Sequence, residues 1–490
     1  MGIVQSQSIK NTIITFFGFG IGAINALFLY TNFLGKLHYG IVATLLSGAN
    51  IMMPLMAFGV QNTLIRFFSH YKTEKEKEEF LTFMLVMPLA FIIPLSLGFY
   101  LFYDPISSVW VTENPSSLKP FFWLIPVVGL FMAYFEVFYA WVKIHMKSVV
   151  GNLISEVLVR LIVMVLLFAV HFNWIEKATC VYGIAGAYFA QMVVMKLYAI
   201  SIKMPVLRFV IPKNLKDLVQ YSLFIIVSGG VAVMLVDFDK IMIPLYQDIG
   251  QNALYAVAIF ISTVIVAPSR AMTQIVAPIT AKLMVEGKHD ELNDLYKKSA
   301  INLQVIGGFI MMLIFLNIKE MYQLIPKDYS GGIWVVFMIG LSKFYDVLLG
   351  NNNSIIVNTK HYRTVLLFGV FTVLLMIGLN MIFIPLYGIE GSAFATLITV
   401  MIYNTIKLFY VVKKMDLYPF TNKTLHSLGI LVVCFGLFYF WDFPFFTLIN
   451  IILKSILITI FYGYLNYKLQ ISEEVNNVVG SVLEKLKIVK

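Results

Sequence analysis

Four stretches of this chain decide its class. Residues 80–103, 249–269, 299–318 and 364–389 contain no Asp, Glu, Lys or Arg. A helix needs about 20 apolar residues to cross about 30 Å of hydrocarbon, so each stretch is long enough to span a bilayer. The rest of the chain agrees: 60% of it is AVILMFWYC and only 13% is charged, against roughly 25% in soluble domains. No soluble fold of 490 residues hides so much apolar surface. The chain reads as an all-α polytopic membrane protein. Barrel strands are excluded because they are about 10 residues long and alternate in polarity.

The same length criterion places fourteen spans near 12–34, 39–63, 80–103, 120–142, 153–173, 179–201, 220–245, 252–279, 299–318, 331–353, 364–385, 388–411, 425–441 and 445–467. Met1–Asn11 is polar and leads straight into the first, so no cleavable signal is expected. The two cysteines, Cys180 and Cys434, lie in apolar runs and give neither a disulfide framework nor a metal cluster. No metal or organic cofactor is expected, and the seven histidines show no paired helical spacing.

The net charge of +10 would suggest nucleic acid in a soluble chain; here the position of the charges assigns topology instead. Lys10, Arg66 to Lys77, Lys143 and Lys147, Lys196 to Lys216, Lys282 to Lys298, Lys360 and Arg363, Lys407 to Lys423, and Lys468 to Lys490 all fall on one side. The opposite side holds only Lys36, Lys119, Lys177, Lys319 and Lys327. Positive loops stay cytoplasmic, so both termini are expected inside, which agrees with an even number of spans. The acidic and basic run at Lys72–Glu79 reads as a solvated helical connector, and the tail (Val475, Val478, Val479, Val482, Leu483, Leu486) as a short amphipathic helix on the inner leaflet.

The chain repeats itself. Tyr182-Gly183-Ile184-Ala185-Gly186-Ala187 returns as Tyr387-Gly388-Ile389-Glu390-Gly391-Ser392. Pro54 aligns with Pro268, and Glu136 after Tyr134-Phe135 aligns with Asp346 after Phe344-Tyr345. Residues 1–218 and 219–423 therefore read as two six-helix lobes, followed by spans 13 and 14 (424–468) and a cytoplasmic tail (469–490). Two repeated lobes around a cavity suit alternating access, in which one lobe rocks against the other.

A charge at the bilayer centre costs about 2.5–3.5 kcal/mol and is expected to face the bundle or a wet cavity. Glu156 and Arg160 are four apart, Asp237 and Lys240 three apart, and Lys343 and Asp346 three apart, so each pair shares a helix face. Such pairs serve either packing or a site. Arg270, Glu136 and Asp239 have no opposite charge at helical spacing and need partners elsewhere. Arg270 is the strongest candidate for substrate, because a guanidinium is always charged and grips phosphate oxygens bidentately. The Asn351-Asn352-Asn353 run suits either sugar hydroxyls or a helix end. The small-residue face Gly18, Gly22 and Ala26 suits close helix packing.

Asp239-Lys240-Ile241-Met242-Ile243, followed by Ala253-Leu254-Tyr255-Ala256-Val257-Ala258, resembles the seventh-to-eighth helix signature of the polysaccharide transporter family. Ile384-Pro385-Leu386-Tyr387-Gly388-Ile389-Glu390-Gly391 resembles that family's turn into its twelfth helix. The family includes O-antigen and oligosaccharide-lipid flippases. It sits in the superfamily of the multidrug-and-toxin extruders (MATE transporters) and the lipid II flippase.

The resemblance implies a MATE-like fold and a flippase, not an enzyme, in the bacterial inner membrane. Its substrate would be a polyprenyl-pyrophosphate-linked oligosaccharide, of the undecaprenyl type, feeding O-antigen, capsule or exopolysaccharide assembly. The partners expected are that lipid, the surrounding membrane and the polysaccharide polymerase machinery, with the chain a monomer and no nucleic acid bound. Arg270, Lys240, Arg160 and Lys343 would neutralise the pyrophosphate. Related flippases carry arginines in the first two helices; in a departure from them, these stretches here offer Asn25, Asn62 and, at the cytoplasmic end, Arg66. Asp237, Asp239, Glu136, Glu156 and Asp346 are candidates for ion coupling or intramembrane pairing, with Na+ or H+ as the coupling ion. Asn380 with Thr396 is a weaker Na+ pair drawn from the relatives. The alternatives are a cation-coupled drug antiporter of the same fold and a membrane-embedded polysaccharide polymerase or ligase. The short outward loops, the longest near 104–119, argue against the enzyme.

Overall fold

The computed structural model describes residues 2–109, 115–206, 208–358 and 362–485. The described residues are helical throughout, with turns between helices and no strand. Eleven helical segments are long and apolar enough to cross a membrane. Two of them, Lys10–Met56 and Leu366–Met415, are each interrupted by a glycine at positive φ, Gly35 (78°) and Gly388 (60°). The shorter apolar helix Asn422–Phe438 adds another crossing. Counting the two interrupted segments twice, the described residues agree with a number of spans near the fourteen read from the sequence.

Span 2 departs from its expected course. Its helix stops at Met56, and the chain turns through Phe58 (φ 49°) and Gly59 (φ 63°) before restarting at Val60. Pro54 weakens the last turn of that helix by removing a hydrogen bond. At Gly59 a side chain would also meet the Ser222 carbonyl at 2.7 Å, so only glycine fits. The charged run at 72–79 is solvated and helical from Glu74 on, with Lys75–Glu79 and Glu74–Lys77 pairs along it. It opens the helix Glu74–Val86, where Thr73 and Glu76 form a reciprocal capping box.

The repeat has different backbones in its two copies. Gly183 lies inside the continuous helix Lys177–Ile202, whereas Gly388 breaks the helix Tyr362–Met415. Pro385 stands where the first copy has Cys180, and a proline forfeits the hydrogen bond that would carry the helix on.

The tail forms the helix Glu473–Lys485. The side chains of Val478, Val479, Val482 and Leu483, and Leu486 altogether, lie outside the described residues. So do Lys360, Lys487, Lys490 and the side chains of Arg363 and Lys485.

The chain divides into two compact units: Met1–Ala256 with Ile384–Ile389, and Val257–Phe383 with Glu390–Lys490. The first unit packs around Phe58, Leu64, Phe80, Met84, Phe135 and Trp141. Its helices approach closely at Gly18 and Gly40, where a Cβ would meet the Glu156 and Ile249 carbonyls at 2.5 and 2.0 Å. Gly18 therefore acts in packing. The second unit has a core of Leu283, Leu292, Tyr296, Ile355, Ile356 and Val411 at one end of its helices.

Candidate functional site

In the first unit, two π-helical stretches bracket a charged pair. Residues Asn25–Leu34 and Ile154–Leu158 are both π-helix, a distortion frequent at functional sites. Arg160 Nη1 donates to Glu156 Oε2 at 2.8 Å and to the Glu156 carbonyl at 2.6 Å. Asn25 is 3% exposed and donates its amide to the Arg160 carbonyl at 2.8 Å. Asn25 therefore braces the helix that carries Arg160. The guanidinium has five donors and is half-buried, so it retains donors for an anion.

The second group lies on the helix Leu215–Tyr246. Lys240 Nζ donates to Asp237 Oδ1 at 2.5 Å. Ser47 Oγ reaches the same oxygen at 2.9 Å and Asn50 Nδ2 reaches Oδ2 at 3.1 Å. Thr44, Ser47 and Asn50 make a polar stripe at three-residue spacing along Gly35–Met56, and that stripe was the unread sequence signal for this contact. Asn252 extends it, donating to Thr44 Oγ1 at 2.8 Å and to the Lys240 carbonyl at 2.7 Å. Tyr188 interacts electrostatically with both Arg160 and Asp237, which places the two groups near one another.

Asp239 is 2% exposed and accepts from the Tyr255 hydroxyl at 2.5 Å. The partner missing from its own helix thus comes from the next one. Glu136 is half-buried and enters no ion pair among the described residues; Lys143, two turns on, is the cation in electrostatic reach. Asn62 is exposed, and nearby Arg66 stacks over the Tyr221 ring at 4.3 Å.

In the second unit, Arg270 is exposed and enters no ion pair among the described residues. Lys343 is half-buried. Asp346 lies 4.0 Å from Lys407 Nζ, so a helix distant in sequence supplies a cation to it. The topology reading counted Lys407 among the loop charges, whereas it lies within the helix Tyr362–Met415. Grouped there with the cytoplasmic-side residues 413–423, it is 1% exposed, donates to Asn353 Oδ1 at 2.9 Å and sits 4.3 Å over the Tyr403 ring. The asparagine run serves packing at a helix start: Asn351 donates to Thr280 and Asn352 to Tyr296. Asn380 is fully buried and accepts from Ser392 Oγ at 3.0 Å, with Thr396 buried one turn beyond Ser392.

Sequence reasoning also passed over a buried ion pair, Lys454 with Glu320, that the exposed Asp442 extends. Lys454 is 2% exposed, 3.6 Å from Glu320 and 3.3 Å from Asp442. Among the described residues no cluster of His, Cys, Asp or Glu is arranged to hold a metal ion.

The model of the polysaccharide biosynthesis protein family matches residues 7–284. No curated protein sequence matches the chain. Among solved structures, the lipid II flippase MurJ in an inward closed conformation aligns with TM-score 0.73 and 17% identity, over 94% of this chain and all of that one. An inward-facing multidrug resistance MATE transporter of the MOP superfamily aligns with TM-score 0.63 and 13% identity, over 84% and 98%. A MOP superfamily transporter from Pyrococcus furiosus, whose binding pocket is described as having reverse polarity, aligns with TM-score 0.55 and 12% identity, over 84% and 95%. These likenesses establish a MATE-like fold, and the proteins that share it are transporters and flippases rather than enzymes.

Proposed function

Because the chain belongs to the polysaccharide biosynthesis protein family, we propose that it is a flippase for a polyprenyl-pyrophosphate-linked oligosaccharide. It carries an O-antigen, capsule or exopolysaccharide unit from the cytoplasmic to the periplasmic leaflet of a bacterial inner membrane. The observation that carries this reading is the family match, joined to a fold shared with a lipid II flippase.

The residues support it. A pyrophosphate needs fixed cations in a low-dielectric surrounding. Arg270 offers a guanidinium with no ion pair among the described residues, and Arg160 offers donors beyond its bond to Glu156. Lys240 has one of its three donors on Asp237, whose charge offsets its own, so release of that carboxylate would strengthen its pull on the substrate. In the cycle, inward-open lobes admit the headgroup while the polyprenyl tail stays in lipid. The cations neutralise the phosphates, and the lobes rock to present the glycan outside. A Na+ or H+ gradient or the membrane potential drives the return, worth about 2.3 kcal/mol per charge at 100 mV. Asp237, Asp239, Glu136, Glu156 and Asp346, or the Asn380–Thr396 pair, would hold the coupling ion.

The test is complementation of a bacterium lacking its own oligosaccharide-lipid flippase, at matched expression. Wild type is expected to restore surface glycan, Arg270→Ala to abolish it and Arg270→Lys to restore it in part. Equal restoration by all three removes Arg270 from the site. Export of cationic drugs without restored glycan would favour the antiporter.

A further inference from the structure

A cavity of about 490 Å³ opens at the head of the helix Lys177–Ile202, within the first unit. Its volume lies in the range of small-ligand sites, and it uses none of the intramembrane charges discussed above. Asn32, Phe33, His171, Asn173, Trp174 and Glu176 line it, with Lys177 beside them.

Its wall is rigid. The helix Val159–His171 ends in a reciprocal pair of bonds, Asn173 N–H to the Val170 carbonyl at 3.0 Å and Trp174 N–H to the Ala169 carbonyl at 2.9 Å. Asn173 takes the left-handed conformation that this ending requires (φ 58°). The Phe33 and His171 rings stack at 4.3 Å, and Phe172 and Trp174 continue the aromatic rim at 5.5 Å. Asn32 Nδ2 is tied to the Phe28 carbonyl at 2.7 Å, which holds its amide in place.

We infer that this cavity docks sugar rings of the glycan on the outward face, an inference that rests on the flippase reading and on the loop topology that places Lys177 outside. The chemistry favours a hydroxyl-rich, uncharged ligand. The adjacent Glu176 and Lys177 leave little net charge for an ion to follow. The two asparagine amides and these two side chains supply donors and acceptors side by side, as sugar hydroxyls demand. Trp174, 77% exposed, presents an open ring face on which the C–H face of a pyranose packs. An interfacial tryptophan can instead anchor in lipid, and the test separates the two.

The full chain in nanodiscs is mixed with maltotetraose or N-acetylchitotetraose at millimolar concentration, the range of a weak single-ring site, and saturation transfer to the sugar protons is recorded by NMR. Transfer with wild type to at least one probe is expected. Trp174→Ala is expected to lose most of that signal and Glu176→Gln to weaken it, both variants keeping the wild-type melting profile. No transfer to either sugar, or transfer unchanged in Trp174→Ala, overturns the site. Quenching of Trp174 fluorescence by brominated phospholipid, read as the difference between wild type and Trp174→Phe, would make the residue a membrane anchor and overturn it as well. Sugar binding that survives while complementation fails keeps the site and removes the flippase reading. Restored glycan without sugar binding does the reverse.

Discussion

Lys454→Met should unseat the helix Thr447–Lys468 from the second unit. Lys454 is 2% exposed and lies about 10 Å along that helix from its start. Its buried partner is Glu320, 5% exposed, at 3.6 Å. At that distance and an effective dielectric of about 20 the attraction is about 5 kcal/mol. Without Lys454, Glu320 keeps the Asn450 amide, at 3.5 Å, and the neighbouring Asp442 carboxyl. Breaking a buried pair by removing one partner costs about 3–5 kcal/mol, and the remaining long hydrogen bond offsets little of that. Asp442, the other partner, is 64% exposed in its side chain, so Asp442→Asn should cost less than about 1 kcal/mol. The double variant Lys454→Met/Glu320→Leu should recover most of the loss, because replacing both charges by apolar groups is often neutral or better. Equilibrium unfolding in mixed micelles with increasing dodecyl sulfate would measure all four proteins. A cost under about 1 kcal/mol for Lys454→Met, or no recovery in the double variant, would refute a tightly coupled buried pair.

Gly40→Ala should cost about 1–3 kcal/mol, since the new methyl meets the Ile249 backbone carbonyl at 2.0 Å. Gly186→Ala meets nothing within 4 Å and should stabilise its helix by up to about 1 kcal/mol; thermal midpoints in one detergent compare the two. Tyr255→Phe keeps the ring but takes the hydroxyl from buried Asp239, costing about 1–3 kcal/mol in the same unfolding assay. Lys407→Met should cost about 1–3 kcal/mol, less than Lys454→Met, because Asp346 is 42% exposed in its side chain and water can take over its solvation. Lys282→Met, in a pair on the surface, should stay below about 1 kcal/mol.

The spans were legible because crossing hydrocarbon is a one-dimensional demand, met by length and the absence of charge. Two of the three helix-local pairs were legible for a related reason: spacing of three or four fixes a shared face, and Glu156–Arg160 and Asp237–Lys240 are bonded. Contacts between helices carry no such period. Nothing in the neighbourhood of Lys407 announces Asp346, which lies sixty-one positions earlier in the chain. Lys407 was read as a loop residue because Lys413, Lys414 and Lys423 follow it, and a tally of loop charges is blind to depth. The near-identical Tyr-Gly-Ile copies diverge at Gly183 and Gly388 for want of a single proline.

Helix-local spacing also separates charges by what they can do. A carboxylate answered within its own helix is spent on its partner unless that partner is displaced, whereas a guanidinium such as Arg160 keeps further donors. A charge without such an answer is available until another helix takes it, as Tyr255 takes Asp239. Of the three charges with no opposite charge at helical spacing, that leaves Glu136 and Arg270, which enter no ion pair among the described residues. Glu136 is half-buried, whereas Arg270 is exposed on its helix. Of the two, Arg270 is the one whose charge opposes that of a pyrophosphate. On the proposed flippase reading it would meet the headgroup without giving up an ion pair among the described residues, so its substitution should alter transport more than stability.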